Sequence, residues 1–367
     1  MPLGTHAQWG WHSLPNPENY RLEDTLEDYV VDGRKVPYAT GRGESGDYSP
    51  AASWLRANPH RLHLGQIGLR LTRADGAPVE IGDLENPHQT LDLWAGLLSS
   101  RFELEGQPVH VLTVCHPARD VLAVRVESPL LAVGRLAISL AFPYGSTEWR
   151  NAVDWDHPDR HTTQARIAGH RADLTRVLDE DRYAVRVVCS AAGTILARAQ
   201  HAYEISRQDG GPLEAIFAFA PTEVAESLPD FDAVRAAAAH HWQQFWSGGG
   251  AVDFSACTDP RAAELERRVV LSQYLTAIQC AGSIPPQETG LVCNSWFGKF
   301  HLEMHWWHAV HFALWDRLRC WSAACRGINR SFRWRKPPPS ARDTAGRAGP
   351  RWSPRTGAIA PARLACS

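Results

Sequence analysis

Residues that could do chemistry are concentrated between positions 285 and 315. This segment holds four tryptophans and four histidines, together with Lys299 and Glu303. Sugar-binding sites use this mixture, because aromatic rings pack on the C–H faces of a sugar while acids, amides and imidazoles bind its hydroxyl groups. The composition of the segment therefore predicts a carbohydrate site.

Aromatic residues at helical spacing more often belong to a hydrophobic core than to a binding site. We therefore predict that Phe312 and Trp315 are core residues. Lys299, His301 and Glu303 are different, because burying a run of charged groups without partners costs free energy. These three residues are predicted to have a functional role.

The histidines also permit a second interpretation, a zinc site. His301, His305 and His308 are spaced so that pairs of them share one face of a helix. Zinc-protease motifs, however, need a glutamate directly beside one histidine, and Glu303 stands two positions from its nearest histidines. A zinc hydrolase therefore stays the less favoured alternative.

The whole chain has the composition of a globular protein. Of its 367 residues, 44% are hydrophobic and 21% are charged. No run of eighteen apolar residues predicts a transmembrane helix. Residues 1–13 lack the charged and apolar regions of a signal peptide. The cytoplasm is the default location, although relatives with a longer N-terminus could be exported.

Charge is divided unevenly along the chain. Residues 318–367 carry eleven basic residues and one acid, a net charge of +10, whereas residues 1–317 carry 27 basic and 39 acidic residues, a net charge of −12. The acidic body argues against nucleic acid as a partner. Eight cysteines form no CxxC pair, so neither a disulfide framework nor a zinc knuckle is predicted. Cys115, Cys189 and Cys280 lie in apolar runs and are predicted to be buried thiols.

Alternation of apolar and polar residues predicts strands in the first 220 residues. Residues 105–108 have the composition of a turn, which predicts a hairpin. Because many strands follow one another at short spacing, we predict an antiparallel β-sandwich. The predicted strands are residues 61–71, 100–104, 109–114, 121–127, 136–142, 183–188 and 215–220.

Helical spacing begins after these strands. Apolar residues three and four apart predict one helix, which ends at glycines 248–250. A second helix is predicted over residues 261–281, with Asp259 as its N-cap and Pro260 at its first position. Apolar residues lie on most sides of the second helix, so much of it is predicted to be buried. The apolar face of the first helix is Leu228, Phe231, Val234, Ala238, Trp242 and Phe245.

Residues 287–315 resemble the opening of the (α/α)6 catalytic barrel of the six-hairpin glycosidases. The group that they resemble most is the bacterial glycoside hydrolase family 65-like proteins, and the resemblance covers residues 1–317. It implies an antiparallel β-sandwich (super-sandwich), then a helical linker, then the start of an (α/α)6 barrel. The implied divisions are 1–225 for the sandwich, 226–257 for the linker, 258–317 for the first barrel helices and 318–367 for an anomalous basic tail.

The resemblance also implies a carbohydrate-active enzyme, a hydrolase or phosphorylase of inverting mechanism that acts on an oligosaccharide or glycoconjugate. No cofactor is implied. Inorganic phosphate is a further partner in the phosphorylase case, and neither nucleic acid nor a membrane is expected as a partner. The implied substrate-binding residues are Asn294 and Trp296 in a loop, Lys299 and His301 as donors, Glu303 as an acceptor, and Trp306 or Trp307 as a stacking platform.

Two related families help to place these residues. In family 65, the acid that matches Glu303 binds the sugar and is not the proton donor. In the family 95 fucosidases, two site asparagines match Lys299 and His301. Because neither residue is asparagine here, the resemblance implies no fucose specificity.

In the superfamily the general acid is a glutamate well downstream of this motif. No glutamate occurs in residues 318–367, and two or three helices fit after residue 258 where six hairpins need twelve. We therefore expect an incomplete barrel without turnover, and the alternative function is a non-catalytic remnant with weak sugar binding. Strands that precede Met1 in the group are likewise expected to be missing.

The tail, residues 318–367, is predicted to be a disordered basic arm or, preferably, an out-of-frame translation product. A shifted frame across codons 348–366 can encode a continuation similar to that of the group, given suitable synonymous codons. We expect sequencing of the gene across codons 310–330 to reveal a frameshift. A second, independent clone that encodes the same in-frame tail would contradict this expectation.

Overall fold

The computed structural model describes residues 3–41, 46–224, 227–291, 294–331 and 365–366. The strands are β1 (Leu3–His6), β2 (Trp11–His12), β3 (Leu26–Val31), β4 (Arg34–Ala39), β5 (His60–Arg61), β6 (Gly65–Leu71), β7 (Leu84–Asp92), β8 (Leu97–Leu104), β9 (Gln107–Cys115), β10 (Val121–Glu127), β11 (Leu136–Ala141), β12 (His161–Ala168), β13 (Arg171–Leu178), β14 (Asp181–Cys189), β15 (Thr194–Ala199), β16 (Ala202–Ser206), β17 (Leu213–Ala220) and β18 (Ala365–Cys366). The helices are α1 (Pro50–Ala57), α2 (Phe231–Ser247), α3 (Ala262–Cys280), α4 (Leu302–Leu314) and α5 (Leu318–Ser331).

Two large antiparallel sheets enclose the main hydrophobic core. One has the strand order β12-β13-β14-β17-β10-β9-β8-β7, and the other has the order β15-β16-β11-β6-β1-β18. Side chains alternate along the strands as the period of two requires, so that Tyr183, Val185 and Val187 of β14 point into the core. The two sheets form the antiparallel β-sandwich that the sequence predicts.

The predicted hairpin is present, but its turn is shorter than predicted. Strands β8 and β9 pair with Leu104 opposite Gln107, so that only Glu105 and Gly106 form the turn. Both residues have positive φ angles, 50° and 71°. This is the conformation of two-residue turns that match the strand twist. Pro108, which was predicted in the turn, therefore lies in β9.

The strand predicted over residues 61–71 is interrupted in the structure. It divides into β5 and β6, with Leu62, His63 and Leu64 between them. All three side chains are buried. Three consecutive buried side chains do not fit a strand whose residues face alternate sides of a sheet.

Helix α2 packs on the outer face of the eight-stranded sheet. Asp230 caps it, because its Oδ1 atom accepts a hydrogen bond from the backbone N–H of Ala233 at 2.8 Å. Residues 228–238 of the predicted apolar face make this contact, and the predicted helix is confirmed. The buried residues of the contact are Phe231, Val234 and Ala238 of α2 with Val114, Val121, Ala123, Ile216 and Ala218 of the sheet.

Helix α3 differs from the prediction in its cap and in its burial. The N-cap is Arg261, and Asp259 instead accepts a hydrogen bond from the backbone N–H of Arg261 at 2.8 Å. Leu265 and Leu275 are exposed, because only the side of the helix that carries Tyr274 is covered. The predicted burial of most of this helix is wrong for the described structure.

Helices α3, α4 and α5 share a small apolar cluster. Phe312 and Ala309 of α4 are buried beside Cys280, and Trp321 of α5 packs against them. The core position predicted for Phe312 is confirmed, whereas Trp315 is half-buried. Helix α5 lies within the predicted tail, and residues 332–364 and 367 of that tail are outside the described residues. The start of an (α/α)6 barrel and the domain boundaries stay predictions.

Cys189, Cys257, Cys280 and Cys325 are free of disulfide bonds. Cys189 and Cys280 are buried as predicted, and burial raises the pKa of the Cys280 thiol to about 12. Cys115 is half-buried. Among the described residues, no helix combines the length and the apolar composition that crossing a bilayer requires.

Buried polar side chains cluster inside the sandwich around Arg176, which is fully buried. Its guanidinium donates to Nδ1 of His161, to Nδ1 of His201 at 3.2 Å and to the carbonyl oxygen of Pro143 at 3.3 Å. The two imidazole rings stack with their centroids 3.8 Å apart. Burial, together with the neighbouring Arg176 and His201, lowers the pKa of His161 to about 3.

A second buried group contains His12, which lies between His60 and Asp179. Its Nδ1 is 3.1 Å from Nε2 of His60, and its Nε2 is 2.9 Å from Oδ2 of Asp179. The hydroxyl of Tyr144 donates to the same carboxylate oxygen. Burial and the nearby His12 lower the pKa of His60 to about 3. Acid must therefore charge several imidazoles that the fold holds neutral.

We predict that acid destabilises the protein partly through His161. The unfolded chain takes up a proton near pH 6.5, whereas the folded state resists protonation down to about pH 3. The contribution of neutral His161 to the stability of the folded state is therefore complete above pH 6.5, and it decreases as the pH falls toward 3. Denaturant unfolding at pH 7.5 and at pH 4.5 measures how much free energy of unfolding is lost on acidification. This loss should be smaller in His161→Asn than in wild type by roughly 1–2 kcal/mol. The exposed His88→Asn is the control, and equal losses in all three proteins would contradict the prediction.

Candidate functional site

The predicted motif meets the sandwich through a tight turn at residues Trp296–Gly298. Trp296 and Phe297 have φ angles of 49° and 61°, a left-handed conformation that is uncommon for residues other than glycine. Gly298 has a φ angle of 74°, and a Cβ atom there would lie 2.2 Å from Cβ of Arg61. Only glycine therefore allows the turn to approach the sandwich this closely.

Arg61 holds this turn from the sandwich side. Its buried guanidinium donates to the carbonyl oxygens of Ala7 at 3.0 Å, Gln8 at 3.3 Å and Gly298 at 3.5 Å. Its Cζ atom lies 4.0 Å from the ring centroid of Trp11. Burial lowers the pKa of Arg61 to about 10. The positive charge of Arg61 is thus stabilised by the dipoles of these backbone carbonyls and by an aromatic ring.

Lys299 has a structural role that the sequence prediction missed. Its Nζ atom donates to the carbonyl oxygens of Leu55 at 3.1 Å, Arg56 at 2.5 Å and Asn58 at 3.1 Å, at the C-terminal end of α1. Helix C-termini carry unpaired carbonyls and favour cations. Because an ammonium has three N–H donors, none remains for a sugar. The structure thus gives Lys299 the role of a helix cap, and its predicted substrate contact stays a prediction.

Burial of Lys299 also changes its acidity. Burial, together with the nearby Arg56 charge, lowers the pKa of Lys299 to about 8. The ammonium therefore stays charged at neutral pH, as its cap requires. It joins α1 to the motif across more than two hundred residues of sequence.

Trp296 is the centre of an aromatic surface at the junction between the sandwich and the motif. Its ring centroid lies 4.8 Å from that of Trp149, and Arg56 Cζ lies 4.9 Å from it. The same Arg56 Cζ lies 4.6 Å from the ring centroid of Tyr48. We call Tyr48, Arg56, Trp149 and Trp296 the junction platform. His301 borders it, with its ring 5.4 Å from that of Trp296.

Sequence reasoning missed three of the four platform residues. Trp296 lies in the motif, whereas Tyr48, Arg56 and Trp149 come from two distant loops and from α1. None of them stands in a motif of its own. The exposed Trp149 beside Arg150 was the only local signal, because an aromatic residue in a polar loop is seldom a core residue.

Glu303, Trp306 and Trp307 lie on α4. Glu303 is exposed, and the two indoles are 58% and 69% exposed. Residues three and four apart are neighbours on a helix surface, so the carboxylate stands one turn from both rings. Among the described residues, none forms a hydrogen bond, an ion pair or an aromatic contact with these three side chains.

Asn294 faces the turn. Its Oδ1 atom is buried, and no described group donates a hydrogen bond to it. A Cβ atom at Gly298 would lie 2.9 Å from this oxygen. The predicted substrate contacts of Asn294, Trp296, His301, Glu303, Trp306 and Trp307 stay predictions.

The remaining histidines of α4 do not form a metal site in the described part of the chain. Nε2 of His308 lies 3.0 Å from the carbonyl oxygen of Glu288, and Nε2 of His305 lies 3.8 Å from Sγ of Cys325. Burial lowers the pKa of both imidazoles. Among the described residues, no three His, Cys, Asp or Glu side chains are placed to hold a metal ion together. The zinc interpretation therefore gains no support.

Asp120 is the described carboxyl group whose pKa is raised. Burial raises it to about 7, although Nε1 of Trp9 donates to Oδ2 at 2.7 Å. Trp9 packs against Tyr183 of the sandwich core, with ring centroids 6.1 Å apart. Raised carboxyl pKa values are typical of general acids, but no described contact joins Asp120 to Glu303 or to the junction platform.

Comparison with known proteins yields structures of low similarity. A bacterial glucoamylase in complex with acarbose is 8% identical, with a TM-score of 0.48 over 74% of this chain and 44% of that chain. A human-microbiome protein that carries the name kojibiose phosphorylase is 10% identical, with a TM-score of 0.30 over 63% of this chain and 30% of that chain. The chain thus spans less than half the length of either protein. No protein-family model and no curated protein matches it.

We predict that Lys299→Met lowers the free energy of unfolding by about 2 kcal/mol, because three partly buried carbonyls lose a charged donor. Lys35→Met is the matched control, since the Lys35 side chain is 77% exposed and its loss should change stability by less than about 0.5 kcal/mol. Denaturant unfolding at pH 7 measures both effects. Equal midpoints for the two variants would contradict the cap.

Proposed function

We propose that this chain is part of a carbohydrate-active protein of the six-hairpin glycosidase class and that α4 presents its sugar-binding surface. The observation that carries the proposal is the exposed group of Glu303, Trp306 and Trp307 on one helix. Two adjacent exposed indoles form a larger apolar patch than a single surface aromatic residue, and such patches mark interaction sites. A free carboxylate one turn away supplies the acceptor that sugar hydroxyls need.

The chemistry of this group favours a sugar over an apolar ligand. An indole packs against the C–H face of a pyranose ring, while a carboxylate accepts hydrogen bonds from its hydroxyls. An apolar ligand would gain nothing from Glu303. The ligand class that we propose is an oligosaccharide or the glycan of a glycoconjugate, and inorganic phosphate is a second ligand if the protein is a phosphorylase.

The described residues support binding more than turnover. Inverting hydrolysis needs a protonated acid and a second carboxylate on opposite sides of the bond that is cleaved. The acids of residues 285–331 are Glu288, Glu303 and Asp316. Glu303 is exposed and lacks a described partner that would position it, and Asp120, whose pKa is raised, contacts Trp9 instead. We propose that α3 and α4, within residues 258–317, are the first helices of an (α/α)6 barrel.

We predict that Glu303→Gln weakens binding of a neutral oligosaccharide by about tenfold, because a charged acceptor becomes a neutral one. Trp307→Ala should weaken it by a similar factor through loss of stacking. Calorimetric titration with maltotetraose and cellotetraose measures both effects. Glu223→Gln, on the loop after β17, is the control and should bind as the wild type does. Absence of binding to every neutral oligosaccharide tested would contradict the proposal.

We predict no glycan cleavage by this chain, with or without phosphate. Proton donation by a positioned acid contributes ~10²–10⁴-fold to the rate, and no described acid is placed to supply it at α4. Wild type and Glu303→Gln should therefore give the same background in a reducing-sugar assay. Cleavage that Glu303→Gln abolishes would show that the acid lies at α4 after all.

A further inference from the structure

The junction platform lies beside the proposed sugar-binding helix and differs from it in charge. Two residues with cationic side chains, Arg56 and Arg150, lie over the rings of Trp296 and Trp149. Arg56 Cζ lies 4.9 Å from the Trp296 ring, and Arg150 Cζ lies 5.1 Å from the Trp149 ring. Nζ of Lys299 donates to the carbonyl oxygen of Arg56 itself.

These cations have no described carboxylate partner. Most arginines of the sandwich pair with an acid, as Arg70 does with Glu204. In the described part of the chain, no ion pair involves Arg56, Arg150 or Lys299. The exposed Glu148 next to Trp149 pairs with none of them. A positive surface on a body of net charge −12 is therefore left without an internal counter-charge.

The contacts of Arg56 leave one edge of its guanidinium group available to a ligand. Tyr48 and Trp296 each lie within 5 Å of its Cζ atom, and its Nη1 donates to the hydroxyl of Tyr48. A guanidinium that stacks on aromatic rings presents its remaining N–H groups in one plane. That arrangement suits a carboxylate, which accepts two parallel hydrogen bonds.

The aromatic part of the platform is held in an uncommon conformation. Trp296 and Phe297 both adopt positive φ angles, and the backbone N–H of Phe297 donates to the carbonyl oxygen of Trp149 at 3.3 Å. Such conformations cost of order 1–3 kcal/mol each and concentrate at ligand sites. Here they place the Trp296 ring next to the 44% exposed Trp149 ring.

We infer that the junction platform binds an acidic sugar, a pyranose that carries a carboxylate, such as a hexuronic acid residue of an oligosaccharide. The ring of the sugar packs on Trp149 and Trp296, and its carboxylate pairs with Arg56. Free phosphate would leave the indoles unused, and a neutral sugar would leave the cations unused. The inference rests on the proposed function and assigns it a substrate class.

The test compares trimers of glucuronic, galacturonic and mannuronic acid with their neutral methyl esters, by calorimetric titration of the full chain at low salt. At least one acid trimer should bind tenfold or more tightly than its ester, and 0.5 M salt should remove most of the difference. Arg56→Gln and Trp149→Ala should each abolish the preference. Arg56→Lys keeps the positive charge but loses the planar guanidinium group. This variant should retain only part of the preference for the acid trimer.

Matched controls come from residues that make no described contact with the junction platform. Arg166 on β12 and Trp94 after β7 are exposed, and Arg166→Gln and Trp94→Ala should bind as the wild type does. Circular dichroism verifies that each variant is folded. If no acid trimer binds more tightly than its ester, or if Arg166→Gln lowers the preference as much as Arg56→Gln, the inference is wrong.

The outcomes separate this inference from the proposed function. Binding of neutral oligosaccharides that depends on Glu303, without any preference for acids, supports the function and overturns the inference. A preference that depends on Arg56, without any binding of neutral oligosaccharides that depends on Glu303, supports the platform and overturns the assignment of α4. Absence of binding to all acid and neutral trimers overturns both.

Discussion

Cationic side chains that donate hydrogen bonds to backbone carbonyl oxygens hold the sandwich and the motif together. Arg61 binds the turn at Gly298, and Lys299 caps α1. Arg317 donates to carbonyl oxygens of Phe245, Gly248 and Gly250 and to Oε1 of Gln273 at 2.9 Å. A buried cation without partners costs several kcal/mol, so each of these contacts must form if the side chain is to be buried. The elements that carry them are thereby fixed relative to one another.

The strands of the sandwich are predicted well from the sequence where apolar and polar residues alternate. The prediction fails where a polar residue occupies an inward position. Strand β13 was not predicted, because Arg176 stands in the inward row with Ala172, Leu174 and Leu178. Only the folded chain shows that His161 and His201 accept its donors. The cost of burying this arginine is offset by partners that are far apart in sequence.

The candidate site was predicted only in part, because it too depends on contacts between residues that are far apart in sequence. The motif includes Trp296, which lies at the junction, and the exposed group on α4. It did not indicate that Lys299 caps α1, since nothing in the sequence links that residue to the end of a helix that lies more than two hundred residues earlier. Trp149 and Arg56 were missed because each becomes part of a site only through long-range contacts with Trp296.

These contacts divide the motif into a rigid part and an open part. Residues near Trp296 are held by Arg61, by Lys299 and by the backbone of Trp149, whereas Glu303 has no described partner. Catalysis demands that reacting groups be positioned within fractions of an ångström, and an exposed glutamate without supporting contacts does not meet that demand. Recognition is less exacting, because a ligand that engages the indoles can itself order the carboxylate. The proposed sugar recognition would thus use two surfaces, one fixed by buried cations and one ordered by the ligand.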